Sequence, residues 1–423
     1  MAICAWLVMA FDSDEQDPRD YLKTEYGGLT LHIKPGHRDD VSRVATFLED
    51  NTKYAEAHLI INRFLSAMAW KEGKAFVSLG AIAGGALPSE RDKPRFNYGE
   101  GRVFRYAVIS RFDFEHLQNP PNDKQKLALA LYREGLNSYS YDVQFYRFLS
   151  FFKILNIKLE KGKEHVAWIN GNVGKVWNFR AQERLAELQR TQADIGDYLW
   201  RQGRNAIAHA YAEPILDPDL PTDRAAATRD ADLMQSLAEV FIQEEMGVPS
   251  QRKIWQEHLY ELEGFRRLFG DNLVARLKAK ENVLLADFPR IPPLTLNLKE
   301  QTPYECLTAL PFRAAACKEG TVFLVTDPNA QSMAVVLALN FPGESLELVL
   351  SNFTVNQRQE KYTKAVAACY YRFLIEYFCN GYLQVFNAET GERLTYKTAF
   401  LPANIDVGAM VDVWRKKIEE LEA

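Results

Sequence analysis

The sequence predicts an α+β protein in three parts: a mixed α/β domain over residues 1–121, an all-helical bundle over 122–250, and a C-terminal α+β domain over 251–423. Three observations predict it. Short runs rich in Val, Ile, Phe and Tyr, bounded by Gly or charged turns, occur before residue 118 and again after 290. Between them, apolar residues fall at helical spacing in one segment after another. Pro120-Pro121 and the pair Gly247 and Pro249 punctuate the two changes, because proline continues neither a strand nor a helix interior and glycine is a usual helix stop. At 423 residues the chain is also long for a single core.

In the first part, the apolar run at residues 1–11 reads as a buried strand. It has no basic residue before Arg19, unlike a signal peptide, and it is too short to span a bilayer. Leu29–Lys34, Ala75–Ala81 and Val103–Phe114 are the other β-type runs. Thr52–Trp70 reads as a helix with Leu59, Ile60, Phe64, Leu65 and Met68 on its apolar side. Gly84-Gly85 through Gly101, with Pro88 and Pro94, reads as a long loop.

In the second part, Asp123 is the expected N-cap of a helix over Lys124–Leu136, and Ser140 that of one over Tyr141–Ile154. The latter has a wide apolar face (Val143, Tyr146, Phe148, Leu149, Phe152, Leu155) and is therefore central. Helices over Val176–Gln189 and Ala193–Ala210 follow. Glu213–Thr222, with three prolines, is expected to be a loop, and Asp230–Glu245 the last helix. In the third part, Trp255–Lys280 is charged with helical periodicity. Strands are expected at Leu294–Leu298, Gly320–Thr326, Ala334–Leu339 and Leu346–Leu350. A helix over Arg358–Tyr377, a hairpin with Glu389-Thr390-Gly391 at its tip and a short helix from Val411 complete the chain.

Composition narrows the functional classes. A hydrophobic fraction of 47% and a charged fraction of 25% are those of a globular protein. The net charge of −5 gives no global attraction to nucleic acid or acidic lipid, so contact with a polyanion requires a local patch. The five cysteines show no C-x-x-C pair, which supports neither a zinc ribbon nor a disulfide framework and points to a reducing, cytoplasmic setting.

The candidate site is Arg204, Asn205 and His209. An arginine followed five or so residues later by histidine is cheap, and Arg111–His116 and Arg252–His258 also show it. Context separates them: the first lies in an alternating strand pattern, and in the second Lys253 adds a like charge. Arg204-Asn205-Ala206-Ile207-Ala208-His209-Ala210 sets its polar triplet among small apolar residues. At about 100° per residue, Asn205 and His209 share a helix face with Arg204 beside them. An imidazole with an ordinary pKa of about 6.5 suits proton transfer at neutrality. A guanidinium fork matches phosphoryl oxygens, and the Asn205 amide can orient either partner. The blander alternative pairs Arg204 with Asp197, Asp230 or another acid and leaves His209 as a cap.

Arg204-Asn205-x3-His209, late in a helical bundle, resembles the signature of the HEPN superfamily. The following Ala-Tyr-Ala-Glu-Pro-Ile-Leu-Asp-Pro-Asp is similar to bacterial methylamine utilisation MauJ proteins. The resemblance covers mainly residues 122–250. It implies a homodimer, paired through the bundle, whose motifs form one metal-independent, cofactor-free site. That site cleaves RNA to a 2′,3′-cyclic phosphate and a 5′-hydroxyl, in defence or stress response. A MauJ-like reading allows the alternative of a non-catalytic dimerisation or partner-binding protein. No membrane partner is expected.

Residues 147–190 carry nine bases against four acids, and Lys153, Lys158, Lys161, Lys163, Lys175 and Arg180 are the candidate contacts to a phosphate backbone. A solvated helix face is the competing reading. Trp168 and Trp177 are either stacking platforms or core. Gly80–Gly85 lacks the lysine of a phosphate loop and reads as a strand end and turn. His32, His37 and His58 read as surface or capping residues. Glu257, Glu261 and Glu263 with Arg266 and Arg267 read as an exposed ion-paired helix.

Overall fold

The computed structural model describes the chain apart from residues 1–3, 14, 17–18, 37–39, 86–89, 93, 95, 97–107, 110–111, 141–142, 210–215, 299–303, 327–332, 350–353, 356–362, 381, 397, 400–406 and 423. The fold is α+β, with two compact units, Met1–Gln251 and Arg252–Ala423.

The first unit opens with a five-stranded antiparallel sheet. Its strands are β1 (Ala5–Ser13), β2 (Leu22–Tyr26), β3 (Leu29–Lys34), β4 (Ser42–Leu48) and β5 (Phe76–Gly85), in the order β2-β3-β4-β1-β5. All nine residues of β1 are buried because both its faces are covered. Leu7, Met9 and Phe11 meet Phe64, Leu65 and Met68 of helix α1 (Tyr54–Glu72) in the main core, while Trp6 and Val8 pack with Ala45 on the other face. Leu59, expected on the apolar side of α1, is 53% exposed. The expected turn at Gly80–Gly85 is instead strand, with Gly84 and Gly85 paired to Trp6 and Ala5. Most of the expected Val103–Phe114 strand lies outside the described residues; Val108-Ile109 is extended and Phe112–Phe114 is not.

The bundle is built from α2 (Asp123–Ser140), α3 (Gln144–Leu155), α4 (Gly162–Asn172), α5 (Phe179–Thr191), α6 (Ile195–Tyr198) and α7 (Pro221–Glu244). Asn122, not Asp123, caps α2: its Oδ1 accepts the Lys124 N–H at 2.8 Å. Helix α2 runs on through Ser140, so Ser140 ends one helix instead of capping the next. Pro221 sits in the first turn of α7, where its missing N–H costs nothing, and the helix starts nine residues before the expected Asp230. One core runs from the sheet into the bundle through Trp70, Tyr132, Phe148, Phe151 and Phe241. Several polar side chains inside the bundle are paired. Tyr132 and Trp177 both donate to Glu239, at 2.6 and 3.0 Å, and Arg147 meets Asp232 at 2.7 Å.

In the second unit the charged segment after Trp255 forms separate short helices, including α8 (Glu263–Phe269) and α9 (Asp271–Lys278), and Glu261 is buried, not exposed. Two larger antiparallel sheets follow. One has the order β10-β9-β8-β7, made of β7 (Phe312–Lys318), β8 (Thr321–Thr326), β9 (Val336–Asn340) and β10 (Ser345–Leu348). The other sets β11 (Tyr382–Asn387) between β6 (Leu294–Leu298) and β12 (Thr398–Ala399). Helices α10 (Lys364–Asn380) and α11 (Val407–Glu422) pack together through Phe378 and Trp414, whose rings are 4.9 Å apart. No described helix is long and apolar enough to cross a membrane.

Candidate functional site

The triplet stands at the end of an irregular helix, not on the continuous one expected over Ala193–Ala210. Asp194 caps α6 by accepting the Asp197 N–H at 2.7 Å. From Leu199 to Asn205 the helix widens into a π turn, and the Ala206 N–H reaches back to the Arg201 carbonyl. Ala206–Ala208 return to α geometry. The His209 N–H donates to the Asn205 carbonyl at 3.0 Å, and the backbone becomes extended at His209. π turns of this kind recur at functional sites because they re-aim side chains.

Three contacts fix the widened turn. The Tyr198 hydroxyl donates to Asp230 at 2.9 Å and accepts from Arg184 at 3.0 Å, and Arg184 itself binds Asp230 at 2.8 Å in a nearly buried pair. Burial pushes the Asp230 carboxyl up, against the opposing pull of Arg184. Trp200 packs on the buried His165 ring at 5.0 Å and on Phe152 at 5.7 Å. Gly203 lies flat on Phe148; a Cβ there would fall 2.4 Å from Phe148 Cζ, so the backbone approaches only because the residue is glycine.

These contacts leave the three candidate side chains on the half-exposed side, where they converge. One guanidinium nitrogen of Arg204, Nη1, donates to Asn205 Oδ1 at 2.8 Å and contacts His209 Nε2 at 3.2 Å. The guanidinium also lies over the Trp200 ring at 5.3 Å. Arginine offers only donors, so this contact is a hydrogen bond when Nε2 is the ring nitrogen without the proton. Asp197 holds Arg201 and Asp230 holds Arg184, each at 2.8 Å, so neither acid pairs with Arg204 as the blander alternative required. Among the described residues no carboxylate lies within ion-pair distance of Arg204.

The decoys have other roles. His258 binds the buried Glu261 at 2.8 Å, while Arg111 lies outside the described residues. His32, expected to be a surface or capping residue, is buried beside Trp6 and hydrogen-bonds Tyr21; His37 is outside the described residues. Of the expected small-residue surface, Ala206 is buried, Ala208 is exposed, and Ala210 is not described.

The basic residues are exposed but unequal. Lys158 reaches the Glu245 carbonyl and Lys175 approaches Glu244 at 4.0 Å, which neutralises part of the patch. Lys161 precedes α4 and its backbone N–H donates to the Glu164 carboxylate at 3.1 Å. Lys153 and Lys163 face solvent. Arg180 lines a cavity of about 470 Å³ with Arg190, Arg229 and three acids. A second cavity, of about 460 Å³, adjoins the π turn: Ala206 and Ile207 line it with Phe145, Tyr146 and Leu149. Trp168 is partly buried in the core, whereas Trp177 is 42% exposed with its N–H on Glu239.

His165, Trp200, Gly203, Tyr198 and Asp230 are the site's supports that sequence reasoning missed. Trp200 stands four residues before Arg204 and Gly203 directly before it, the one legible hint of a close-packed turn. Burial lowers the His165 pKa, with the nearby Arg204 charge acting in the same direction.

The family model for methylamine utilization protein MauJ matches residues 128–243, from within α2 to the end of α7, a stretch that contains the whole candidate site. The chain is similar to that family over the bundle. Neither a curated protein nor a solved structure matches it.

Proposed function

We propose that the bundle carries an RNA-cleaving site of the HEPN type, with Arg204 as the phosphate anchor, His209 as the acid–base group and Asn205 as the residue that orients Arg204. The observation behind this reading is a guanidinium with no carboxylate partner among the described residues, one nitrogen of which lies between an amide oxygen and an imidazole nitrogen. A guanidinium that no described carboxylate neutralises, set beside a base, is an anion site joined to a proton acceptor. An arriving phosphate draws Arg204 to its non-bridging oxygens and releases the His209 lone pair. His209 then takes the proton of the neighbouring 2′-hydroxyl as that oxygen attacks phosphorus, the P–O5′ bond breaks and the 5′ oxygen leaves, taking up a proton to become the 5′-hydroxyl, while Arg204 neutralises the charge that builds on the phosphoryl oxygens. Lys153, Lys161, Lys163 and Arg180 guide the backbone by charge. In this reading two copies pair through the bundle, and the chemistry uses no metal. The product ends test it. Purified protein with a mixed RNA pool and chelator should yield 2′,3′-cyclic phosphates and 5′-hydroxyls; 3′-hydroxyl and 5′-phosphate ends refute it.

A second reading has its own observation. Tyr139, Val143 and Tyr146 are 50%, 40% and 67% exposed, and Val143 and Tyr146 edge the apolar cavity beside Ala206. Such a surface suits a dimerisation or partner-binding protein without catalysis. Wild-type protein that binds RNA or a partner through this face and never cleaves favours it.

A further inference from the structure

Helices α5 and α7 line a groove of about 470 Å³ that holds four guanidinium groups. Arg180, Arg184 and Arg190 come from α5, and Arg229 comes from α7. Three acids line the same groove, and two of them are already committed. Glu187 lies 2.8 Å from Arg184 and 3.5 Å from Arg229, and Asp232 is held at 2.7 Å by Arg147. Arg184 is 9% exposed, and its three nitrogens bind Asp230, Glu187 and the Tyr198 hydroxyl, which makes it a fixed positive floor. Arg180 and Arg190 are exposed and stand apart from these pairs. Arg190 donates from Nε to the Ala186 carbonyl at 3.1 Å, and neither has a carboxylate within ion-pair distance among the described residues. Glu183, the third acid, likewise has no ion pair among the described residues. Two unmatched guanidinium groups therefore stand against one carboxylate. A solvated ion-pair network matches each cation with an acid, whereas this groove keeps a surplus of positive charge.

We propose that the groove between α5 and α7 binds a chain of consecutive phosphate groups. A guanidinium fork presents parallel N–H donors that match phosphate oxygens, and arginine keeps its charge at every physiological pH. The spacing sets the length of the anion. Arg180 and Arg190 are ten residues apart on one helix, roughly 15 Å along its axis. A single phosphate does not span that distance, and a chain of phosphates does, with Arg180 and Arg190 at its ends. Arg229 completes the grip from the facing helix: its 3.5 Å contact with Glu187 is the loosest of the groove's ion pairs, and the one that an entering phosphate replaces. Two sources offer this chemistry, a free oligophosphate chain and the backbone of a single-stranded RNA. Only the second source rests on the RNA-cleaving reading.

The test is isothermal titration of the full-length protein with inorganic tripolyphosphate and, separately, with a 2′-O-methyl oligoribonucleotide, which lacks the attacking hydroxyl. At least one should bind, and the double variant Arg180→Gln/Arg190→Gln should weaken it about tenfold or more. Glu183→Gln removes the one uncommitted carboxylate and should tighten it. Lys124→Gln/Lys416→Gln, at exposed lysines of α2 and α11, removes the same charge elsewhere and should leave the affinity unchanged. Tripolyphosphate binding identifies a free oligophosphate as the ligand; oligonucleotide binding without it identifies the RNA backbone. Binding of neither overturns the proposal. Equal weakening by the lysine pair also overturns it, because the attraction is then diffuse charge, and so does a Glu183→Gln variant of unchanged affinity, because the anion then sits outside the groove. Every readout is binding, so a protein that never cleaves RNA leaves the result intact.

Discussion

At the residue scale, the candidate chemistry rests on what Arg204 does not touch as much as on what it does. Asp197 and Asp230, the two acids named as its partners in the blander alternative, are held by Arg201 and Arg184, which among the described residues leaves the Arg204 fork to Asn205, His209 and the Trp200 ring. Arg204→Lys keeps the charge but loses the planar fork and most of the ring contact. RNA cleavage should therefore fall almost as far in Arg204→Lys as in Arg204→Ala; near-wild-type rates for the lysine variant would reduce Arg204 to a point charge. Gly203→Ala forces a methyl into Phe148 and should destabilise the protein by about 1–3 kcal/mol in chemical denaturation. An unchanged midpoint would mean that the π turn shifts freely and does not fix the site. The triplet was legible in the sequence as a polar group among small residues, because type and spacing are local. Its convergence was not legible, since an α-helical projection sets Arg204 beside the others instead of bonded to both.

At the scale of elements, strong patterns were read and compensated ones were missed. β1, β3 and the central apolar helix α3 declare themselves by composition. β2 reads Leu-Lys-Thr-Glu-Tyr and buries only its ends, as an edge strand does, and β4 buries Ser42, Arg43 and Thr46 through hydrogen bonds that no hydropathy pattern records. Helix α4 was missed because only His165 and Ile169 among its residues are buried. That helix gives a pH prediction. The folded-state pKa of His165 is lowered by burial, so the unfolded chain binds the proton more readily. The stability contributed by a neutral His165 is full above the unfolded value of about 6.5 and is lost as pH falls below it toward the folded value. His32, lowered by the same cause, acts with the same sign. His165→Phe keeps the ring against Phe152 and Trp200 and removes the titration. Its melting temperature should fall less than that of wild type between pH 8 and pH 5.5, and parallel losses would show that His165 is not among the groups driving the acid sensitivity.

At the scale of the whole molecule, the sheet and bundle of the first unit share one core, so the site is set in a continuous framework from β1 to α7. The proposed homodimer makes a direct prediction for this unit. Tyr146, 67% exposed at the rim of the apolar cavity, lies on the surface the proposal would cover. Light scattering should give a dimer for wild type at micromolar concentration and a monomer for Tyr146→Glu. A monomeric wild type would remove the shared cleft from the account. The central claim is that His209 is the acid–base group of an RNA-cleaving site, and the rate of RNA cleavage by wild type against His209→Ala, measured with chelator and equal folded protein by circular dichroism, tests it most directly. The account predicts a loss of ~10²–10⁴-fold with the fold intact. Cleavage by His209→Ala at the wild-type rate would contradict it.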